Sequence, residues 1–215
     1  MRTGRPSRGL VERASNLAQV AFLCRLLALD ADGLWRFLSQ LPSGEGGLIE
    51  RQARYFVHGK QSASLRRAAA LDRHAPGFLE VTEWPWFCLD LSRCQPSMLR
   101  RSLIHLHAMG STSRQLPSNL SSHAEVSVAA WLSARVYFQM LLKFRLCQVQ
   151  EDQMGMAAVG PDLLSAFSRA LCHPAIFGAK HELSLALETA YYSSVLVAFC
   201  CIGARSQLLK HRGGQ

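Results

Sequence analysis

From His123 to Gln150 the chain has almost no polar side. Placed on a helix, Trp131, Leu132, Val136, Tyr137, Phe138, Met140, Leu141, Leu142, Phe144 and Leu146 point nearly all the way round. Only Arg135, Gln139 and Lys143, at i, i+4 and i+8, form a polar stripe. A helix of this kind is stable in water only when neighbours cover it on several sides. The sequence therefore predicts a mainly α fold, a single helical bundle around this central apolar helix. Composition agrees: 49% of the 215 residues are hydrophobic and 18% are charged, enough apolar surface for a sizeable core and too little charge for a disordered chain.

The elements around the centre follow from helical spacing and its stop signals. Residues 1–9 read as a basic flexible arm. Leu10, Ala14, Leu17, Ala21, Cys24 and Ala28 predict a first helix over 10–29. Asp30 caps a short second helix that Pro42 stops, and further helices are expected over 48–58, 64–74 and 96–109. Gly160-Pro161 opens a helix that ends at His173-Pro174, and a last one runs over about 178–210. Ser122-His-Ala-Glu125 has capping-box spacing for the start of the central helix. Period two competes with period 3.6 only in Phe78–Trp84 and Trp86–Leu91, where either a short β-hairpin (78–91) or an aromatic loop fits. Residues 10–215 are read as one helical domain, with 10–110 and 122–210 as alternative subdomains joined by the polar 111–121 loop.

Catalytic signatures are missing. There is no Gly-rich phosphate loop, no HExxH and no nucleophile elbow. His105 and His107 are two apart, about 200° around a helix, and cannot chelate one ion. Cys172-His173 and His181-Glu182 flank a Pro174 turn and could meet, but a helix-end histidine explains His173 more simply. Seven scattered cysteines with no CxxC pair argue against a structural zinc site and a secreted disulfide framework. The expectation is a non-enzymatic, cytoplasmic chain with no cofactor and no metal.

A net charge of +9 and a pI of 9.6 point to an acidic partner: nucleic acid, an anionic membrane or an acidic protein. Thr189–Ala204 is uncharged but falls short of the ~18–20 residues that cross a bilayer, so it reads as a core helix. The most informative basic element is the helix from Pro96. Met98, Leu99, Leu103, Leu106 and Met109 fall on one arc; Arg100, Arg101, His105 and His107 fall largely opposite, interrupted by Ile104 and Ala108. Arg93 precedes it and Arg114 follows. These six polar residues are the candidate nucleic-acid contacts, able to neutralise phosphates and release counterions. An ordinary solvated surface helix would show the same pattern. Arg66-Arg67, Arg73 and the N-terminal Arg2, Arg5 and Arg8 are candidates to extend the patch.

Leu91-Ser92-Arg93, Leu99–Ile104, Gly110 and Ser113–Ser118, followed by the long aromatic helix, resemble FlhC-type transcriptional activators over roughly residues 91–150. That family carries a cysteine-rich zinc site near its C-terminus, whereas Cys200 and Cys201 here are adjacent in an apolar run. The resemblance implies DNA-binding transcriptional activation with a partner subunit. The functional expectation is thus a DNA-associated regulator that contacts duplex DNA through a basic amphipathic helix. A helical protein–protein adaptor or homo-oligomeric assembly subunit is the first alternative, and membrane association through 189–204 is the second.

Overall fold

The structure, a computed structural model, describes residues 9–111, with side chains through Ala108, and residues 126–190. The expected arm over 1–8, the 112–125 loop with its capping box, and everything after Ala190 lie outside the described residues. Among the described residues every regular element is helical. Helices α1 (Leu10–Leu26), α2 (Ala31–Gln40), α3 (Glu50–Val57), α4 (Leu65–Leu71), α5 (Phe78–Glu83) and α6 (Pro96–Ser111) make up the first half. Helices α7 (Val128–Val149), α8 (Gln153–Ala170), α9 (Pro174–Gly178) and α10 (180–190) make up the second.

Local chemistry sets the boundaries. The Asp30 carboxylate accepts the Gly33 N–H at 2.6 Å and the Ser64 hydroxyl that of Arg67, starting α2 and α4. The Ser127 hydroxyl accepts the Ala130 N–H and starts α7. Asp152 does the same for Gly155, so α8 begins at Gln153 and runs through Gly160-Pro161 instead of starting there. Pro161 lies on the exposed side of α8, where the carbonyl it leaves unpaired can be hydrated. A short extra helix, α9, follows His173, and α10 starts at residue 180, close to the expected start of the last helix, whose course beyond Ala190 lies outside the described residues.

The hairpin over 78–91 does not form. Phe78–Glu83 is α5, followed by two 3₁₀ turns, Trp86–Leu89 and Leu91–Arg93. The Asp72 carboxylate accepts the N–H groups of Gly77 and Leu79, both at 2.9 Å, and fixes the start of the helix. Gly77 sits at φ 94°, and a Cβ there would strike the Trp131 ring. Phe78, Val81 and Trp84 are the buried apolar positions. Their spacing of three is helical, and the apparent alternation came from Glu80, which is buried as an ion.

The core is continuous between the two halves. Trp84 packs on Trp86, Trp131, Phe138 and His173, with ring centroids 5.0–5.9 Å apart. Phe22 of α1 meets Trp131 edge-on at 5.6 Å and stacks on His173 at 5.7 Å. On α7, Ala134, Tyr137, Phe138, Leu141, Leu142 and Phe144 are fully or almost fully buried, as its sequence demands. Neighbouring helices α6 and α8 cover it, and α9 packs on α1, where a Cβ at Gly178 would collide with Ala21.

Three polar ties cross this core. Arg135 of α7 makes a bidentate pair with Glu80 of α5, at 2.7 and 2.9 Å. Arg145 is 3% exposed and pairs with no carboxylate among the described residues. Its Nε–H donates to the Cys88 carbonyl at 2.7 Å and its terminal nitrogens donate to Leu89 O and Gln148 Oε1. It thereby closes the carbonyl end of the first 3₁₀ turn, where partial negative charge collects. On α1, buried Asn16 donates to the carbonyls of Phe56 and Gln61, and Gln19 accepts the Ala63 N–H. These bonds hold the 58–64 connection against the bundle.

Replacing Arg135 with Met strands the Glu80 carboxylate in the interior and is expected to destabilise the fold by about 3–5 kcal/mol. Urea denaturation of Arg135→Met and of Arg135→Met/Glu80→Leu checks this. The double variant should recover much of the loss, and equal stabilities for the two would contradict a buried pair.

Burial among the rings holds the His173 imidazole down to about 3, so it is neutral in the fold. The unfolded chain takes up this proton below pH ~6.5. The stability from neutral His173 is therefore full above that pH and is lost as pH falls towards 3, by at most about 1.4 kcal/mol per pH unit. Urea midpoints between pH 7 and pH 4 should fall more steeply for the parent than for His173→Asn. Equal slopes would contradict the buried neutral ring.

Candidate nucleic-acid interface

Pro96 is the first residue of α6, where its missing N–H matters least, and the Gln95 carbonyl accepts the Leu99 N–H. Leu99 and Leu106 are buried and Leu103 is half-buried, so α6 lies on α7 by the apolar arc expected from its spacing. Met98 departs from that arc and is 41% exposed. The outward face carries Ser97, Arg100, Arg101, Ile104, His105 and Ala108, with His107 exposed at its margin. Ile104, which looked like an interruption in the sequence, is 71% exposed in the middle of this face.

The six candidate residues do not share one status. Arg100 and Arg101 are exposed, and no ion pair involves either among the described residues. Arg93 is engaged: it pairs with Glu12 of α1 at 2.7 Å and with Asp90 at 3.2 Å. Those two carboxylates raise the Arg93 pKa, Glu12 more than Asp90. Hydrogen bonding to Ser92, followed by its bond to Arg93, holds the Asp90 carboxyl below the usual range. Arg93 therefore fastens the start of α6 to α1 and offers little uncompensated charge. The His107 Nδ1 lies 2.8 Å from the Leu103 carbonyl, which orients the ring along its own helix. Arg114 lies outside the described residues.

His105 borders a shallow depression of about 490 Å³ together with Gln19, Thr82, Glu83 and Leu65. Leu65 opens α4, and its neighbours Arg66 and Arg67 line a second depression with Ser43, Gly44 and Ser64. The beginning of α4 and the middle of α6 thus flank one stretch of surface, an arrangement that sequence spacing could not reveal. Glu83 is the acidic group in that stretch.

The charge along the chain is asymmetric here. Between Asp90 and Glu125 there is no carboxylate, and the interval holds Arg93, Arg100, Arg101 and Arg114 with three histidines. A helix with paired, uncompensated guanidinium groups on an open face can bind phosphate oxygens.

Nothing in the described residues assembles catalytic chemistry around the other candidates. Cys172 is exposed and its thiol points to the Arg169 carbonyl at 2.9 Å. His173 caps α9, accepting the Ala175 N–H on Nδ1, and its ring faces Phe22, Trp84 and Trp131. Burial pushes the Cys88 thiol and the Tyr137 phenol well above their ordinary values, the opposite of what a nucleophile or acid–base group at neutral pH needs. No group of three or more metal-ligating side chains occurs among the described residues. No described helix is long and apolar enough to cross a membrane. No protein-family model, curated protein or solved structure matches the chain.

Proposed function

We propose that this chain is a non-enzymatic, cytoplasmic, DNA-associated regulatory protein that lays α6 against the phosphate backbone of duplex DNA. The observation that carries the reading is the open face of α6. Arg100 and Arg101 stand there without an ion pair among the described residues, with His105 one turn on, while Leu99 and Leu106 anchor the helix to the core. The carboxylate-free interval from residue 91 to 124 and the net charge of +9 support it. The resemblance of residues 91–150 to FlhC-type activators supports transcription regulation as the setting. Phosphate contact is sequence-independent, so this face accounts for attachment and positioning, not for a recognised sequence.

A protein partner is the second reading. Ile104 and Met98 are exposed on or beside the same face, and an apolar residue amid cations suits an acidic amphipathic segment of another chain.

Binding to labelled duplex DNA across a salt series separates the two. The parent should lose affinity steeply with salt, and Arg100→Ala/Arg101→Ala should lower the slope of log K against log salt by about 2, one phosphate per arginine. Both residues are exposed, so the variant should keep the parent's stability. Failure of the parent to bind duplex at low salt would overturn the DNA reading and leave the protein partner.

A further inference from the structure

The connection from α2 to α3 lies against α4 and encloses a cleft with it. Pro42 stops α2, and Ser43–Glu45 form a 3₁₀ turn. The Glu45 and Gly47 N–H groups both donate to the Pro42 carbonyl, at 2.9 and 3.0 Å, and the Leu48 N–H donates back to the Leu38 carbonyl at 2.8 Å. Gly46 sits at φ 96°, and a Cβ there would strike the Leu71 side chain, so the turn rests directly on α4. Its shape and its distance from α4 are therefore fixed before any ligand arrives.

The cleft, about 360 Å³, is lined by Ser43, Gly44, Ser64, Arg66, Arg67 and Ala70. It brings together two guanidinium side chains and two hydroxyls, and no carboxylate among the described residues lines it. The carboxylates on the flanking segments are engaged elsewhere: Glu45 Oε2 lies 3.7 Å from His74 Nε2, and Asp72 Oδ1 accepts the Gly77 and Leu79 N–H groups. No ion pair among the described residues involves Arg66 or Arg67. Arg67 is half-buried, and that burial lowers its guanidinium from the ordinary value. A charge drawn partly out of water with no counter-charge is unfavourable until an anion supplies one. The Ser64 hydroxyl oxygen accepts the Arg67 N–H at 3.4 Å, which leaves its own O–H to donate into the cleft.

We propose that this cleft binds the phosphate group of a small phosphate monoester, with Arg66 and Arg67 as the cationic fork and Ser43 and Ser64 as hydroxyl donors. Guanidinium groups present paired N–H donors that match phosphate oxygens. Two guanidinium charges balance a dianionic monoester, whereas a backbone phosphodiester carries a single negative charge and would leave one of them uncompensated. The volume falls at the small end of the roughly 300–1,000 Å³ of small-molecule sites, enough for a phosphate and a modest attached group. The inference is independent of any DNA contact by α6.

Titration of the full chain, labelled with nitrogen-15 at arginine, with phenyl phosphate at pH 8 tests it through the arginine Nε–H signals. The Arg66 and Arg67 signals should move together and saturate, at a concentration at least tenfold below that needed to move Arg100 or Arg101. Binding should weaken at least tenfold in Arg66→Gln/Arg67→Gln. It should weaken as much in Gly44→Asp, where a Cβ meets no atom within 4 Å and the added carboxylate alters the charge of the cleft without disturbing its walls. Dimethyl phosphate, a monoanionic diester, should bind at least tenfold more weakly than phenyl phosphate. An equal response of all the exposed arginines, or unchanged binding in Gly44→Asp, would overturn the proposal. Equal affinity for the monoester and the diester would overturn it too, and would assign the cleft to a nucleic-acid backbone.

Discussion

Helix α7 can be buried around most of its circumference only because its inward arginines are satisfied by the segment that packs on it. The guanidinium of Arg145 is closed off by the Cys88 and Leu89 carbonyls and by Gln148, and Arg135 by the Glu80 carboxylate. Removing either set of partners would leave a charge in a low-dielectric interior, a penalty of several kcal/mol per ion. The stretch from Phe78 to Leu89 thus supplies aromatic surface and polar partners to one helix at once. That double role explains why it folds as a short helix and a 3₁₀ turn rather than as strands, which would present neither Glu80 nor the turn carbonyls to α7.

The same requirement divides the cations of the chain. Arg135 and Arg145 serve the interior, and Arg93 ties α6 to α1 through Glu12. Arg54 pairs with Glu50 and lies over the Trp35 ring. Arg100 and Arg101 have no such partner among the described residues, and they lie on the helix whose other side is anchored by Leu99 and Leu106. Other exposed cations, Arg66 and Arg73 among them, also make no ion pair among the described residues, and α6 is set apart from them by the carboxylate-free interval in which it lies. The position of the candidate interface on a helix packed against the most rigidly enclosed element of the fold gives it a fixed geometry.

Much of this was legible in the residues. The central helix announced itself through apolar side chains at every angle, and Asp30, Ser64 and Pro96 marked helix starts through local chemistry that operates within four residues. Of the expected apolar arc of α6, Leu99, Leu103 and Leu106 face the core, Met98 does not, and the Met109 side chain lies outside the described residues. What was not legible depended on contacts distant in sequence. Glu80 made α5 look like a strand because its partner is 55 positions away. Arg93 was grouped with Arg100 and Arg101 because nothing nearby in sequence reveals Glu12, 81 positions earlier. Pro161 suggested a helix start, but its exposed position lets α8 pass through it. Arg135 does belong to the polar stripe, at 16% side-chain exposure, and only its distant partner Glu80 shows that it ties α7 to α5.

The division of the arginines is the central claim, and its most direct test is arginine-selective dicarbonyl labelling of the native full chain, read by peptide mass, with and without duplex DNA. The account predicts rapid modification of Arg100 and Arg101 in the free protein, slowed by duplex, with Arg135 and Arg145 unreactive until the chain is unfolded. Labelling of Arg145 at the rate of Arg100 in the native protein would contradict the internal role assigned to it. Reactivity of Arg100 and Arg101 unchanged by duplex would remove α6 as the binding face.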